Sequence, residues 1–260
     1  MSCIPIFLIN LDRREDRMRV MEKRLEGLEY HRITAVDGAN LRPNQAQIKH
    51  LEEALYPLSK NELACILSHL SICEKMLAEQ IPFGCVLEDD VILSDELVSF
   101  VRDCQWIPPG LDLIKIETML EHVWLSRKGE RVKTRNLSKL YSFHPGTAGY
   151  IISLRGAEKM HKILTSPNQA ADDLMFKRAI ETDEFGDVWQ MMPALCVQEF
   201  VHTETFSKSD INASRESFRS LCRVKASGIK KIMREIRRPF FQILEKRRCF
   251  KQKRRIVPFV

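Results

Sequence analysis

The 260-residue sequence has no run approaching the eighteen or so apolar residues that span a bilayer. Met1 to Asn10 is apolar, but it is short and has no basic leader, so it reads as a first strand and not as a secretion signal. No C-x-x-C pair occurs among the eight scattered cysteines. With no leader, that spacing predicts reduced thiols in a cytoplasm and no zinc site. No G-x-G-x-x-G follows the first strand, so a Rossmann dinucleotide fingerprint is absent. Disorder throughout is excluded by a composition that is 44% apolar, and the length suits one α/β domain with an appendage.

Charge is unevenly placed. Residues 215–260 hold sixteen Lys and Arg against three Glu, a net of +13, which leaves −7 for residues 1–214. An acidic body with a basic helical tail predicts an anionic partner for the tail. Pro239 interrupts any single helix there. The Phe, Leu and Ile residues interleaved with the cations favour an anionic membrane surface over nucleic acid.

The most informative stretch of the body is Phe83-Gly-Cys-Val-Leu-Glu-Asp-Asp-Val-Ile-Leu93, an apolar strand running into Glu88, Asp89 and Asp90. Ligands of open α/β folds gather at such strand ends. Two carboxylates about 6 Å apart repel by about 3 kcal/mol at an effective dielectric of about 20. A divalent cation that also holds a phosphate relieves that repulsion; a solvated acidic turn is the plain alternative.

Earlier in the chain, Ile4 to Leu11, a helix from Asp12 to about Leu28 and Tyr30 to Val36 form a β-α-β start. It places Asn10, Asp12, Arg13 and Asp37 at two strand ends, with Arg14 and Arg17 read as a solvated first turn. A short helix is expected within 39–58. Ser59-Lys-Asn-Glu62 is a capping box opening a helix to about Glu79, with Glu62 and His69 on one flank. A histidine beside an apolar stripe is commonly a satisfied core residue; His69 is also a candidate substrate contact. Residues 121–142 suggest a β-ribbon or loop. His144-Pro-Gly-Thr-Ala-Gly149 breaks the chain before a strand, and Gly149 there permits close backbone approach to a ligand. Asp172 and Asp173 open a further helix, either one suited to its N-cap. Val188 to Val197 reads as a last core strand, and His202 in the exit loop is a candidate metal or phosphate ligand.

These segments together resemble glycosyltransferase family 25, the bacterial lipooligosaccharide galactosyltransferases and their collagen-modifying relatives. The resemblance covers about residues 4–211. It rests on Ile9-Asn-Leu-Asp-Arg-Arg-Glu-Asp-Arg17, Ala35-Val-Asp-Gly38, Glu62-Leu-Ala-Cys-Ile-Leu-Ser-His69, Leu87-Glu-Asp-Asp-Val91, Gly149-Tyr-Ile-Ile-Ser153 with Gly156-Ala157, and Asp172 followed by Leu174-Met175. It implies a GT-A-like nucleotide-sugar-binding fold with a mixed central sheet over residues 1–214, inversion at the anomeric carbon, and a UDP-sugar donor used with Mn²⁺ or Mg²⁺. On that reading Glu88, Asp89, Asp90 and His202 are metal ligands. Asn10, Asp12, Arg13, Asp37, Glu62, His69, Thr147 and Gly149 hold the donor, and Asp172, or else Asp173, is the catalytic base. The sugar would be galactose, and the acceptor a lipid-linked oligosaccharide. The basic tail of residues 215–260 would bring the enzyme to the inner face of the bacterial inner membrane. A metal-dependent nucleotidyl or phosphoryl transferase using the same carboxylates is the rival enzyme, and a catalytically silent sugar- or lipid-binding protein the rival of another class.

Overall fold

The computed structural model describes residues 4–42, 58–182, 185–203 and 252–260. Its centre is an eight-stranded mixed sheet. Strand β1 (Ile6–Asn10) lies between β2 (Tyr30–Thr34) and β3 (Phe83–Glu88), all three parallel. Every residue of β1 is buried, as expected of a parallel strand covered on both faces. Phe7 and Ile9 face one core, Ile6 and Leu8 the other, the two-residue alternation of an extended chain.

Helix α1 (Glu15–Arg24) covers one face. Glu15 and Asp16 in its first turn and Lys23 and Arg24 in its last complement the helix dipole. Helix α2 (Lys60–Glu79) covers the other, started by the expected capping box, in which Ser59 Oγ accepts from the Glu62 amide and Glu62 Oε2 accepts from the Ser59 amide. It ends at Gln80, which has a left-handed φ of 55°.

After β3 the chain turns at Asp89 and Asp90 into β4 (Val91–Leu93) and the short α3 (Leu97–Val101). The sequence stretch 111–117 divides into β5 (Leu113–Lys115) and β6 (Glu117–Thr118). Residues 121–142 form the ribbon option, as β7 (His122–Ser126), β8 (Glu130–Val132) and β9 (Arg135–Lys139). Strand β10 (Gly149–Ser153) runs antiparallel between β3 and β5 and leads into α4 (Leu154–Leu164).

Two expectations change in detail. The helix after Asp172 begins as a π-helical segment, Asp173–Arg178, before α5 (Ala179–Thr182). The last core strand is two strands: β11 (Val188–Met192) in the main sheet and β12 (Cys196–Gln198), which lies between β4 and β6 in a second sheet and is followed by α6 (Glu199–His202).

The reading that assigned all of 215–260 to a tail also changes at its end. Residues 252–256 form β13, antiparallel to β7. Val257 is buried, its carbonyl accepting from Thr118 Oγ1 at 2.7 Å. The short helix expected within 39–58 and the basic stretch 215–251 lie outside the described residues, apart from 39–42 and 58.

Candidate functional site

The parallel strands β2, β1 and β3 leave the sheet at one edge, where Thr34 pairs with Asn10 and Ile9 with Glu88. Antiparallel β10 enters at that same edge, and the Glu88 amide donates to the Ala148 carbonyl at 3.0 Å. The loop before β10 is thereby brought against the acidic end of β3. Two clefts meet there. The first, about 740 Å³, is lined by Arg13, Arg17, Asp37, Asn61, His69 and all three carboxylates, among others. The second, about 850 Å³, includes Glu62, Gly146, Thr147, Asp172, Gln198 and Phe200 in its walls. Cys65 and Glu88 belong to both.

The three carboxylates have different surroundings. Glu88 Oε1 accepts from Thr147 Oγ1 at 2.6 Å and lies 3.3 Å from His69 Nε2. Burial pushes its carboxyl up, but His69, Thr147 and nearby Lys115 together hold it below the usual glutamate value. Asp89 is committed within the protein: Oδ2 accepts from Asn10 Nδ2 at 2.7 Å and Oδ1 from Arg17 Nη1 at 2.9 Å.

Asp90 Oδ2 is 3.5 Å from Arg17 Nη1, whereas Oδ1 is buried with no hydrogen-bond partner. Burial, and next the charge of Glu88, push the Asp90 carboxyl up to about 7 against the pull of Arg17. A buried acceptor left unpaired costs about 1–3 kcal/mol, and a divalent cation satisfies it. An oxygen donor at Asp90 beside Glu88 fits Mn²⁺ or Mg²⁺, which take carboxylate oxygens.

In the second cleft Asp172 Oδ1 accepts from the Asp173 amide at 3.0 Å, and Oδ2 lies 3.4 Å from the Gly146 amide. A buried ion pair supports this loop. Lys115 and Glu117 are both fully buried, Nζ 2.8 Å from Oε2. Lys115 Nζ also donates to the Gly146 carbonyl, and the Ala148 amide donates to Glu117 Oε2 at 3.1 Å. Gly146 has φ of 90°, and a Cβ there would meet Glu117 Oε1 at 2.5 Å, so glycine is required.

Of the residues singled out from sequence, Arg13, Asp37, Glu62, His69, Glu88, Asp89, Asp90, Thr147 and Asp172 line one cleft or both. The rest line neither. Asn10 is buried and spends its side chain on Asp89, the Arg14 carbonyl and Arg32, so it positions Asp89. Asp12 points outward and pairs with Arg32 at 2.6 Å. Gly149 serves packing, since a Cβ there would sit 2.1 Å from Cys196 Sγ. Asp173 pairs with Lys177 at 3.6 Å. His202 is exposed in α6, its ring edge-on to Phe259 with centroids 5.8 Å apart.

Other site residues escaped the sequence reading. Arg17, a solvated cation by its sequence pattern, is the ion partner of Asp89 and Asp90. Its signal was available: Arg13 and Arg17 are four apart, on one flank of the turn that leaves β1. Lys115 and Glu117 lie within one apolar stretch of sequence, where two opposite charges two residues apart signal a buried pair. Tyr150, whose hydroxyl is 2.9 Å from His69 Nδ1, carried no signal, because an aromatic residue in a strand is ordinary.

Comparison with known proteins adds sequence relatives to this geometry. The family model Glycosyltransferase family 25 (LPS biosynthesis protein) matches residues 3–175. The lipooligosaccharide biosynthesis protein lex-1 of Haemophilus influenzae is 32% identical over 195 residues, 71% of this chain and 62% of that protein. Procollagen galactosyltransferase 1-A of Xenopus laevis is 32% identical over 180 residues, 62% of this chain and 28% of that protein. The chain thus spans less than two thirds of the length of either relative. Among solved structures, a glycosyltransferase involved in the glycosylation of the major capsid of PBCV-1 aligns over 83% of this chain and 100% of its own, at 10% identity and a TM-score of 0.43.

Proposed function

This chain belongs to glycosyltransferase family 25, and from that premise we propose that it moves galactose from UDP-galactose to a lipooligosaccharide acceptor, inverting the anomeric carbon. The observation that carries the reading is the position of Glu88, common to two clefts that meet at the carboxyl ends of parallel strands. A donor in the first cleft and an acceptor in the second would meet beside it. The lipooligosaccharide role of the Haemophilus relative supports the acceptor class, and the Xenopus galactosyltransferase supports the sugar.

Arg13 and Asp37, paired at 3.0 Å, flank the nucleoside end of the first cleft. Asp90 Oδ1 with Glu88 would hold Mn²⁺ or Mg²⁺, which supplies Lewis-acid stabilisation of charge on a departing diphosphate. Arg17 adds a fixed positive charge on the same side. Asp172, across the second cleft, takes the proton of the acceptor hydroxyl as general base. Its backbone contacts to Gly146 and Asp173 orient the carboxylate.

No helix among the described residues is long and apolar enough to cross a membrane. The net charge of +10 in residues 215–251, thirteen Lys and Arg against three Glu, supports attachment to an anionic leaflet, at about 1 kcal/mol per Lys or Arg near the surface. Replacing the Lys and Arg of 219–248 by Gln should release the protein from anionic vesicles; unchanged binding would remove the tail from the account.

The direct test is a thermal-shift panel of UDP, UDP-galactose, UDP-glucose and UDP-N-acetylglucosamine, with and without Mn²⁺. A ligand at about 100 times its Kd adds about 2.7 kcal/mol. A metal-dependent shift largest with UDP-galactose supports the donor assignment. No shift with any UDP-sugar would overturn it.

A further inference from the structure

The absence of C-x-x-C spacing predicts no zinc site, yet the fold assembles one cluster of mixed ligand type among the described residues. One ligand atom each from Cys65, His69 and Glu88 lies within 4.8 Å of the others. Cys65 and His69 are four residues apart on α2 and so share a face; Glu88 comes from the end of β3. The cluster is reachable, because Cys65 and Glu88 line both clefts and His69 lines the first. It is also oriented from behind, since the buried Tyr150 hydroxyl holds His69 Nδ1 at 2.9 Å and leaves Nε2 facing Glu88 Oε1. A partner on the far ring nitrogen is the usual outer-shell arrangement of a metal-binding histidine.

We propose that Cys65 Sγ, His69 Nε2 and Glu88 Oε1 form a site for a thiophilic divalent cation of the Zn²⁺ class, which shares Glu88 with the oxygen-only site at Asp90. Thiolate and imidazole donors select Zn²⁺ over Mg²⁺ and Mn²⁺. Zinc bonds of about 2.3 Å to sulfur and about 2.0 Å to nitrogen and oxygen bring tetrahedral ligand atoms to about 3.5 Å from one another. Closure therefore takes about 1 Å of side-chain movement. Binding transfers the Cys65 thiol proton to the buffer. Three protein ligands leave the fourth position open toward the clefts, as in zinc sites that retain an exchangeable ligand. Occupation would draw Glu88 away from the Asp90 site and block the junction of the clefts, making Zn²⁺ an inhibitor. That consequence rests on the transferase reading above; the site itself does not.

Co²⁺ titration of the full-length protein, without donor or acceptor, tests the site. The expected result is a single equivalent with thiolate-to-cobalt charge-transfer absorption, displaced by Zn²⁺. Cys65→Ser should abolish that absorption, and Tyr150→Phe should weaken Co²⁺ binding by about tenfold. Independently of any variant, Zn²⁺ should slow iodoacetamide alkylation of Cys65 in the wild-type protein, located by peptide mass spectrometry. Absorption that persists in folded Cys65→Ser, no absorption in the wild type, or alkylation of Cys65 at the same rate with Zn²⁺ would each overturn the proposal. None of these readings depends on sugar transfer, so their failure is separable from failure of the UDP-sugar thermal shift.

Discussion

Arg17 Nη1 donates to Asp89 Oδ1 at 2.9 Å across 72 residues of sequence, and the same nitrogen lies 3.5 Å from Asp90 Oδ2. This one guanidinium ties α1 to the acidic turn after β3. Its side chain is 26% exposed and that of Asp89 9%, so the pair falls between exposed ion pairs, worth about 0–1 kcal/mol, and buried ones, whose breakage costs about 3–5 kcal/mol. Arg17→Met should therefore destabilise the protein by about 2 kcal/mol in urea unfolding. It should also lower kcat/KM by about 100-fold, the loss expected for a fixed charge beside a developing one. Wild-type stability and activity in this variant would return Arg17 to the solvated role.

Asp90 gives the site a pH dependence of definite sign. Its carboxyl titrates at about 7 in the folded protein against an ordinary 3.8, so between those values the folded state holds a proton that the unfolded chain has lost. The contribution of Asp90 to stability is present at low pH and declines as pH rises from about 4 to about 7, by up to about 1.4 kcal/mol per pH unit. Asp90→Asn should flatten that decline in pH-dependent melting of the metal-free protein. Mn²⁺ binding requires the ionised carboxylate, so affinity should fall by up to about tenfold per pH unit below about 7. A pH-independent Mn²⁺ affinity in calorimetry would contradict the assignment of Asp90.

The sequence made much of the architecture legible, through signals of particular kinds. The apolar runs of β1 and β3, the Ser59–Glu62 capping box and the acidic end of β3 are local patterns, and each occupies the expected place. What escaped depends on pairings between distant segments. Asn10 and Arg17 are polar residues near a strand end, a pattern that does not distinguish a ligand contact from an anchor. Only the arrival of Asp89, more than 70 residues later, gives both of them their partner. Gly149 has the composition of a ligand-approach glycine, but Cys196 from β12 fills the space where its Cβ would lie. The adjoining Asp172 and Asp173 diverge because Asp172 caps the helix toward the Gly146 loop, while Asp173 lies inside it and meets Lys177 one turn on.

That divergence gives a paired test of the catalytic base. Asp172 lines the second cleft, and Asp173 is held by Lys177. Asp172→Asn keeps an oxygen to accept the Asp173 amide but cannot take a proton. It should lower kcat by about 100- to 10,000-fold while leaving donor KM and melting temperature nearly unchanged. Asp173→Asn should keep kcat within about threefold, the loss of a partly exposed ion pair being worth under about 1 kcal/mol. Reversal of these two outcomes in steady-state transfer assays would move the base to Asp173.

The Lys115–Glu117 pair separates support of the site from its chemistry. Burial pushes the Glu117 carboxyl up while Lys115 opposes that rise, and Glu117 Oε1 is already buried without a hydrogen-bond partner. Lys115→Met leaves that carboxylate uncompensated and should cost about 3–5 kcal/mol. The Glu117 pKa then rises further, so the variant should lose more stability as pH increases, because ionising Glu117 no longer has a cation to offset it. Adding Glu117→Gln removes the charge yet keeps an oxygen for the Ala148 amide, and the double variant should regain at least half of the lost stability. Because Gly146 still loses its contact with the Lys115 ammonium, the double variant should stay slow in transfer even when refolded fully. Urea unfolding across pH checks the first part, and kcat of the double variant the second; full recovery of kcat would show that the ammonium does not hold the loop for catalysis.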